Sequence, residues 1–296
     1  MANLKEVRDR IKSVKNTQQI TKAMKMVSAA KLRRAQDAII SLRPYADRLN
    51  VMLSNILSNL EGDAQTSLGE EREIKRACLV VVTSNRGLCG AFNTNVSKSA
   101  LEAMETKFAD VKAQGNLDVL CIGKKGYEYL RRRVSGVNFN TDYMDLFNDL
   151  SFDNVAKVPR MLIKAFEEGR YDAVSVAYGK FKNAGTQYTI TDQFLPVPKI
   201  EKDENDNTVA DYIFEPDQTS LLEYLVPTIL QTQFQKYLLD THASEHGARM
   251  TAMDKASENA NELLRDLKIM YNKARQEAIT NEILEIVGGA AALENG

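Results

Sequence analysis

The sequence predicts an α/β fold in which two very long terminal helices form an antiparallel coiled coil beside a central α/β domain. The evidence is a helical periodicity of apolar residues at both ends, a scarcity of Gly and Pro there, and short apolar runs alternating with helical patterns in the middle. We expect the first helix over 1–60, the central domain over 70–215 and the second long helix over 217–296.

The N-terminal segment has the pattern of one long helix. From residue 3 to residue 59 there is no Gly, and the only Pro is Pro44, where we expect a local disturbance. The predicted apolar stripe has two parts on shifted phases: Leu4, Val7, Ile11 and Val14, then Ile20, Ala23, Val27 and Ala30. A helix of this length spans about 80 Å, far more than a globular domain needs.

The middle of the chain has the pattern of a Rossmann-like α/β domain, with buried strands alternating with helices around a largely parallel sheet. We expect strands at 77–83, 117–122, 173–178, 188–194 and 212–214. We expect helices at 94–113, 125–133 and 154–168. The acidic stretch 201–207 is predicted to be an exposed loop.

The C-terminal segment returns to a helical pattern that begins at Asp217, a plausible N-cap, and that Pro227 should bend. Its predicted coiled-coil seam alternates small and large residues: Ala256, Ala260, Leu263, Leu267, Met270 and Ala274. About 70 helical residues span roughly 105 Å, so neither terminal helix can bury its stripe on the central domain alone. The economical arrangement is an antiparallel coiled coil that projects from that domain.

Composition excludes several classes of protein. The net charge of −1 over 296 residues argues against a nucleic-acid partner for the chain as a whole. The three cysteines have neither disulfide-framework nor zinc-ligand spacing, so we expect reduced thiols. No apolar run is long enough to cross a bilayer, and the N-terminus lacks the apolar core of a signal peptide. Any membrane association should therefore be peripheral.

The sequence offers weak candidates for catalytic or metal chemistry. The glycine-containing turns 86–90 and 123–126 follow predicted strands, where phosphate-binding loops lie, but their glycine spacing fits neither nucleotide-binding pattern. His242 and His246 are one helical turn apart without a third ligand, and Cys89 has no histidine partner. We interpret these features as tight turns, a packed or solvated helix face and a structural thiol, and predict no catalytic residue, metal or cofactor.

The first helix is strongly basic, with ten cations and two acids within residues 1–34. The cations are Lys5, Arg8, Arg10, Lys12, Lys15, Lys22, Lys25, Lys31, Arg33 and Arg34. They form either a solvated face or a surface for acidic partner segments or anionic headgroups. Nucleic acid is disfavoured because this basic segment, 1–34, has no aromatic residues that could stack on bases.

Three stretches resemble the gamma subunits of bacterial-type rotary ATP synthases. They are the segment 3–34, the motif TSNRGLCG at 83–90 and the segment 271–290, which contains the family pattern I-T-x-E-x-x-[DE]-x-x-x-G-A. The resemblance covers essentially the whole chain, although Asn85 stands where the family usually has Asp. It also implies that the basic N-terminus is the first shaft helix, rather than a transit peptide.

The resemblance implies a non-catalytic central rotor shaft of a proton-translocating ATP synthase. In this family the shaft couples ion flow through the membrane c-ring to ATP synthesis or hydrolysis in the α3β3 ring. The implied partners are the alpha, beta, delta and epsilon subunits and the c-ring, with one copy of the chain per complex. The implied location is the cytoplasmic side of the cell inner membrane, where the chain would be peripheral. No cofactor is expected.

The functional residues of the family are assigned to this chain only at positions where the sequence motifs match. Met24, Lys25, Arg275 and Gln276 match family positions that contact β subunits. The segment near the c-ring and epsilon corresponds to Tyr212, Phe214 and Glu215. We hypothesise that a small, nearly uncharged end of the shaft is the bearing tip, which consists of Gly288, Gly289, Ala290, Ala291 and Ala292. Residues 195–215 contain no Cys, so a thiol switch known in photosynthetic relatives is not expected.

Without the resemblance, two other functions remain open. The chain could be a coiled-coil tether whose α/β head binds a partner, or a nucleotide-binding enzyme with a degenerate loop. ATP hydrolysis by the isolated chain would favour the enzyme, and co-assembly with α and β subunits would favour the rotor.

Overall fold

The computed structural model describes residues 4–58, 67–70, 72–197 and 218–294. Its α-helices are α1 (Leu4–Ser58), α2 (Phe92–Glu105), α3 (Ala109–Ala113), α4 (Lys124–Leu130), α5 (Phe152–Val155), α6 (Lys157–Glu167) and α7 (Gln218–Glu294). Its strands are β1 (Ala77–Val82), β2 (Leu117–Ile122), β3 (Val137–Asn140), β4 (Ala173–Phe181) and β5 (Gln187–Leu195). Short 3₁₀ turns lie at Ser67–Gly69 and Leu146–Asn148.

The two long terminal helices predicted from the sequence are confirmed. Helix α1 has 55 residues and continues through Pro44, and α7 has 77 residues and continues through Pro227. The chain divides into two compact units, and both helices contribute to each of them. The first unit combines residues up to Val27 with residues from Met250 onward, and the second runs from Ser28 to Arg249.

The second unit is built on a five-stranded sheet in the order β3-β2-β1-β4-β5. Strands β1 to β4 are parallel, and β5 pairs antiparallel with β4. Every residue of β1 is buried, as expected for a central strand that is covered by helices on both faces. The parallel-dominated α/β sheet predicted from the apolar runs is therefore confirmed.

The strand predictions differ from the structure in two places. Strand β3 was missed because it has only four residues (VNFN), is only partly buried and lies at the edge of the sheet. The predicted strand 212–214 and the predicted acidic loop 201–207 lie outside the described residues. The helices predicted at 94–113 and 154–168 are each divided in two, with breaks at residues 106–108 and at Ala156.

Each face of the sheet has its own core. On one face, β1 and β4 pack against α6 and α7, where the rings of Phe194 and Phe234 lie 5.8 Å apart. On the other face, α2 packs through residues that include Met104, beside the buried Phe108. None of the helices in the described residues is long and apolar enough to span a membrane.

Asp240 on α7 is one of the ionisable side chains buried in the second unit and is 7% exposed. Burial raises the pKa of its carboxyl group to about 6, against the opposing effects of Lys236, Lys180 and Arg43. Because the folded pKa is above the unfolded value, the folded state favours the protonated acid. This contribution to stability is complete below about pH 4 and is lost as the pH rises through about 6.

We predict that Asp240→Asn raises the free energy of unfolding at pH 8 by about 3 kcal/mol, because Asn carries no charge to bury. The gain should fall to about half of that at pH 5. Urea unfolding at the two pH values measures it, with the exposed Asp110→Asn as the control that changes little. A gain that is equal at both pH values would contradict this account of Asp240.

Candidate partner interface

In the first unit, α1 and α7 run antiparallel and pair through polar side chains. The pairs are Arg8 with Tyr271, Gln18 with Asn261, Thr21 with Ser257, and Lys25 with Asp254. As the residue number on α1 rises from 8 to 25, the number on α7 falls from 271 to 254, so a single register is maintained. The predicted antiparallel coiled coil is present in this unit.

The buried face of α1 follows a strict heptad that the sequence prediction only partly identified. Its residues step alternately by three and four: Leu4, Val7, Ile11, Val14, Gln18, Thr21, Lys25, Ser28, Leu32 and Ala35. The second part of the predicted stripe was wrong, because Ile20 and Val27 are each 59% exposed. Polar Thr21 and Ser28 take the buried positions instead, at 8% and 2% exposure.

The buried face of α7 also differs from the predicted seam. Its members are Met253, Ser257, Ala260, Leu264, Leu267, Tyr271 and Ala274. Ala260, Leu267 and Ala274 were predicted correctly, but Leu263 and Met270 are exposed, at 39% and 59%. The two heptad positions nearer the start of α7 are apolar Met253 and polar Ser257. Because Ser257 is polar, the apolar pattern alone did not show which residues of α7 face α1. The Thr21 and Ser257 hydroxyls lie 2.7 Å apart, so these buried polar groups satisfy each other.

Met24 and Lys25 lie at the edge of this seam, and both are partly exposed. The Lys25 ammonium lies 2.5 Å from the Asp254 carboxylate, with side-chain exposures of 41% and 47%. Such a solvated pair contributes little to stability, so Lys25 remains accessible to an acidic partner. The six other cations of α1 in the first unit are exposed: Lys5, Arg8, Arg10, Lys12, Lys15 and Lys22.

Arg275 and Gln276 lie where the register reaches the first described residue of α1. The observed register sets residue 275 opposite Leu4, the first described residue of α1, and all residues from 275 to 290 are exposed. Within the described ranges, neither the Arg275 nor the Gln276 side chain has a hydrogen-bonding or ionic partner. Their donors are therefore available to another molecule.

Beyond Gln276, α7 continues to Glu294 and carries a row of exposed apolar side chains. These are Ile279, Ile283, Leu284, Ile286 and Val287, with exposures of 47% to 71%. Gly288, Gly289 and Ala290 are exposed and helical, and Ala291 and Ala292 continue the helix. An apolar surface of this extent on a single helix is typical of a surface that another protein covers. Tyr212, Phe214 and Glu215 lie outside the described residues.

The turn after β2, 123–126, packs tightly against the end of β1. A Cβ on Gly123 would lie 2.0 Å from the Thr83 carbonyl oxygen, and a Cβ on Gly126 would lie 2.7 Å from Thr83 Oγ1. The amides that open α4 donate to the chain itself: Lys124 to Asn85 Oδ1, Lys125 to the Ser84 carbonyl oxygen and Gly126 to Thr83 Oγ1, at 2.8–3.1 Å. Groups at the end of β1 thus occupy the positions where a phosphate would bind.

Arg249 holds the turn after β1, a role that sequence reasoning missed. Its guanidinium donates to the carbonyl oxygens of Arg86 and Gly87 at 3.1–3.3 Å and pairs with Glu245 at 2.7 Å. Both charged side chains are nearly buried, with exposures of 8% and 9%. The neighbouring Leu88 has a φ of +63° and is 64% exposed. An arginine on a distant helix gives no sequence signal that it binds this turn.

His242 and His246 form a packed pair in contact with Arg249. Their Nε2 atoms lie 3.0 Å apart, and His246 Nδ1 lies 3.2 Å from an Arg249 nitrogen. Burial lowers the pKa of His242 to about 4, and burial together with His242 lowers the pKa of His246 to about 3. Both imidazoles are therefore neutral at physiological pH. No cluster of three or more metal-binding side chains occurs among the described residues.

Cys89 and the two other cysteines, Cys78 and Cys121, are buried free thiols. Burial raises the pKa of all three, most strongly for Cys78, while Arg249 and Ser84 oppose the shift at Cys89. A raised pKa keeps a thiol protonated and unreactive, as the structural interpretation of Cys89 requires.

The chain matches the family model described as ATP synthase over residues 3–293. It is 53% identical over 297 residues to the ATP synthase gamma chain of Cytophaga hutchinsonii, and the alignment covers 100% of both chains. It is also 53% identical over 294 residues to the ATP synthase gamma chain of Flavobacterium psychrophilum, covering 99% of this chain and 100% of the relative.

Two solved structures have a similar fold. One is a chain of the Euglena gracilis mitochondrial ATP synthase, in an assembly described as OSCP/F1/c-ring, with a TM-score of 0.68 at 21% identity, covering 99% of this chain and 95% of that one. The other belongs to the central stalk and c-ring of the Tetrahymena thermophila mitochondrial ATP synthase, with a TM-score of 0.55 at 23% identity, covering 80% of this chain and 99% of that one. At these identities the likeness concerns the fold alone.

Proposed function

The chain belongs to the family of ATP synthase gamma chains, and from this premise we propose that it is the central rotor shaft, without a catalytic site of its own. In this proposal it couples ion flow through a membrane c-ring to ATP synthesis or hydrolysis in an α3β3 ring. Its partners are the alpha, beta, delta and epsilon subunits and the c-ring, and one copy enters each complex. The three segments 1–60, 70–215 and 217–296 are the proposed functional divisions.

The observation that carries this proposal is the stretch of α7 after Ala274. It extends about 30 Å past the described start of α1. Its apolar side chains are exposed, and within the described residues the side chains of Arg275 and Gln276 have no hydrogen-bonding or ionic partner. Exposed apolar side chains on a helix of this length are typical of a surface that another protein covers, and a ring with a central cavity would cover it.

The absence of catalysis is supported by what fills the candidate loops. The backbone amides at the start of α4 donate hydrogen bonds to Thr83, Ser84 and Asn85. Arg249 donates hydrogen bonds to the carbonyl oxygens of the turn 86–87. The imidazoles are neutral and paired with each other, and the thiols are buried. The candidate loops, the histidine pair and the thiols thus have structural roles among the described residues, so ATP hydrolysis belongs to the ring in this proposal.

We propose that Met24, Lys25, Arg275 and Gln276 contact β subunits, with the Arg275 guanidinium gripping a carboxylate through two hydrogen bonds. Arg275→Ala should lower ATP synthesis by the assembled complex about tenfold, the effect of losing one charge-assisted contact. Its stability should change by less than about 0.5 kcal/mol because the side chain is exposed. Lys273→Ala, an exposed cation on the preceding half-turn, is the control; equal activities of the two variants would contradict the assignment.

We propose that Gly288 to Ala292 form the bearing tip, where small uncharged residues avoid directional bonds that would hinder rotation. Replacing Ala290, Ala291 and Ala292 by Glu should slow ATP-driven rotation severalfold or block assembly, since buried carboxylates without partners are costly. Ala290→Ser, which keeps the residue small, should rotate normally. Full rotation and assembly with three glutamates would rule out a bearing at this position.

The location proposed is the cytoplasmic side of the cell inner membrane, reached through the complex. Tyr212, Phe214 and Glu215 are proposed to contact the c-ring and epsilon. Fractionation tests the location: the chain should sediment with membranes that contain the whole complex and should be released when the F1 part is stripped from them. Retention on membranes after F1 removal would contradict a purely peripheral attachment.

Co-assembly distinguishes a rotor from a scaffold and from an enzyme. When the full chain is mixed with α and β subunits, we expect one copy per α3β3 ring by native mass spectrometry. The isolated chain should show no ATP hydrolysis above background. Two or more copies per ring would argue for a tether, and hydrolysis by the isolated chain would argue for a nucleotide-binding enzyme.

A further inference from the structure

A cavity of about 180 Å³ lies in the second unit, beside the middle of α1. Three elements line it: α1 through Leu42 and Arg43, the end of β4 through Lys180 and Phe181, and α7 through Lys236 and Asp240. A water molecule needs only about 10–15 Å³ by the same measure, so the space holds a small polyatomic ligand. None of these residues belongs to the proposed rotor contacts.

Asp240 is the buried polar group of this cavity. Its side chain lines the cavity although the residue is only 7% exposed, and across the described ranges its carboxylate has no hydrogen-bond donor and no ion pair within 4 Å. Arg43, Lys180 and Lys236 act on it electrostatically, but burial dominates and raises its pKa. A buried carboxylate that lacks a donor costs stability unless a bound group supplies one.

The charges around the cavity define the ligand. Three cations and one carboxylate leave two positive charges uncompensated, so the complementary ligand is an anion with one or two negative charges. An ionised carboxylate only accepts hydrogen bonds, so the ligand must also offer a donor to Asp240. An anion with several oxygens for the cations and one hydroxyl for the carboxylate meets both conditions.

We propose that this cavity binds a protonated phosphate group, either free hydrogen phosphate, which carries two negative charges and one hydroxyl, or the singly protonated phosphomonoester headgroup of an anionic lipid, which carries one negative charge and one hydroxyl. The anionic oxygens accept hydrogen bonds from Arg43, Lys180 and Lys236, and the P–OH group donates to Asp240. The apolar side chains of Leu42 and Phe181 complete the wall. Sulfate has similar size and charge but no proton at neutral pH, so it leaves Asp240 without a donor and repels it.

Isothermal titration of the full chain with phosphate and with sulfate, at constant ionic strength and pH 7.5, tests the site. We expect phosphate to bind at least about tenfold more tightly than sulfate, because a charged hydrogen bond replaces a repulsion. Lys180→Gln should weaken phosphate binding about tenfold. Lys182→Gln, which removes a lysine of the same hairpin outside the cavity, should leave binding unchanged.

Asp240→Asn provides the selectivity test, since Asn cannot repel sulfate. This variant should bind the two anions within about twofold of each other, and its folding can be checked independently by unfolding. Equal affinities for phosphate and sulfate in the unaltered chain would overturn the proposal. So would a complete lack of binding, or binding that Lys180→Gln does not weaken.

The source of the phosphate group is decided by sedimentation with vesicles. Vesicles of phosphatidic acid in phosphatidylcholine should retain the chain in a Lys180-dependent manner if a lipid headgroup is the ligand, and free phosphate should compete. If phosphate binds in solution and these vesicles retain no more chain than pure phosphatidylcholine does, the ligand is the free ion. Retention that Lys180→Gln leaves intact would assign lipid binding to another surface and count against this cavity.

Discussion

Gly123→Ala is expected to prevent stable folding of the second unit, with a loss of about 4 kcal/mol or more in the free energy of unfolding. The added Cβ would lie 2.0 Å from the carbonyl oxygen of Thr83 and 2.5 Å from its carbonyl carbon. Both atoms are backbone, so relief requires the ends of β1 and β2 to separate in the middle of the sheet. The φ of +93° adds a strain that Ala tolerates poorly. Denaturant unfolding or soluble yield measures the effect.

Substitutions at two other glycines allow the cost of the steric clash to be measured separately from the cost of backbone strain. Gly115 has a φ of +73°, and a Cβ added there would have nothing within 4 Å, so Gly115→Ala should cost only about 1–2 kcal/mol. Gly87 has open space and no positive φ, so Gly87→Ala should be nearly neutral. If Gly123→Ala costs no more than Gly115→Ala, the close approach of the two strand ends is not a constraint.

Arg249→Met is expected to cost about 3–5 kcal/mol, because it leaves the buried Glu245 without its counter-ion. The same change removes the donors to the Arg86 and Gly87 carbonyl oxygens. Burial already raises the pKa of Glu245, and Arg249 opposes that rise. Without the arginine the folded pKa rises further, so the variant should lose more stability at pH 8 than at pH 5. Urea unfolding at the two pH values measures both effects.

The exposed ion pair of the coiled coil is the matched control. Lys25→Met removes a cation of similar length from a pair in which both side chains are about half exposed, and it should cost less than about 1 kcal/mol. Adding Glu245→Gln to Arg249→Met should recover part of the loss, because the uncompensated charge is then gone. Equal losses for the Arg249 and Lys25 variants would show that burial does not set the strength of these pairs.

The fold was predictable because long periodic segments and continuous apolar runs have few alternative structures. The run at 77–83 is short, continuous and followed by a turn, which favours a strand buried on both faces, and the glycine-poor, periodic ends favour long helices. The helix break at residues 106–108 was not predictable, since no Gly or Pro marks it. The break at Ala156 had a signal that the prediction did not use, because Pro159 lies in the first turn of α6 and cannot continue the hydrogen bonding of a preceding helix. Strand β3 was missed because four partly buried residues at a sheet edge carry almost no pattern.

The coiled-coil seam was predictable only where it is apolar. Leu4 to Val14 set a heptad that continues unchanged through Gln18, Thr21 and Ser28, but following hydrophobicity led to the exposed Ile20 and Val27. Extending the alternating three- and four-residue spacing along α1 would have identified the face that packs against α7. The Ser257 hydroxyl pairs with the Thr21 hydroxyl, which explains why polar residues are tolerated on that face. The Arg249 contact and the Asp240 cavity depend on residues distant in sequence, so only the structure reveals them.

Rotation is the most direct test of the central claim. The three native cysteines are buried, so a single Cys at the exposed Ala113 gives a selective attachment point for a probe on this chain. With the chain assembled into an immobilised α3β3 complex, the account predicts that ATP drives the probe through continuous rotation in one direction. A probe that stays fixed while the same complexes hydrolyse ATP would contradict the account.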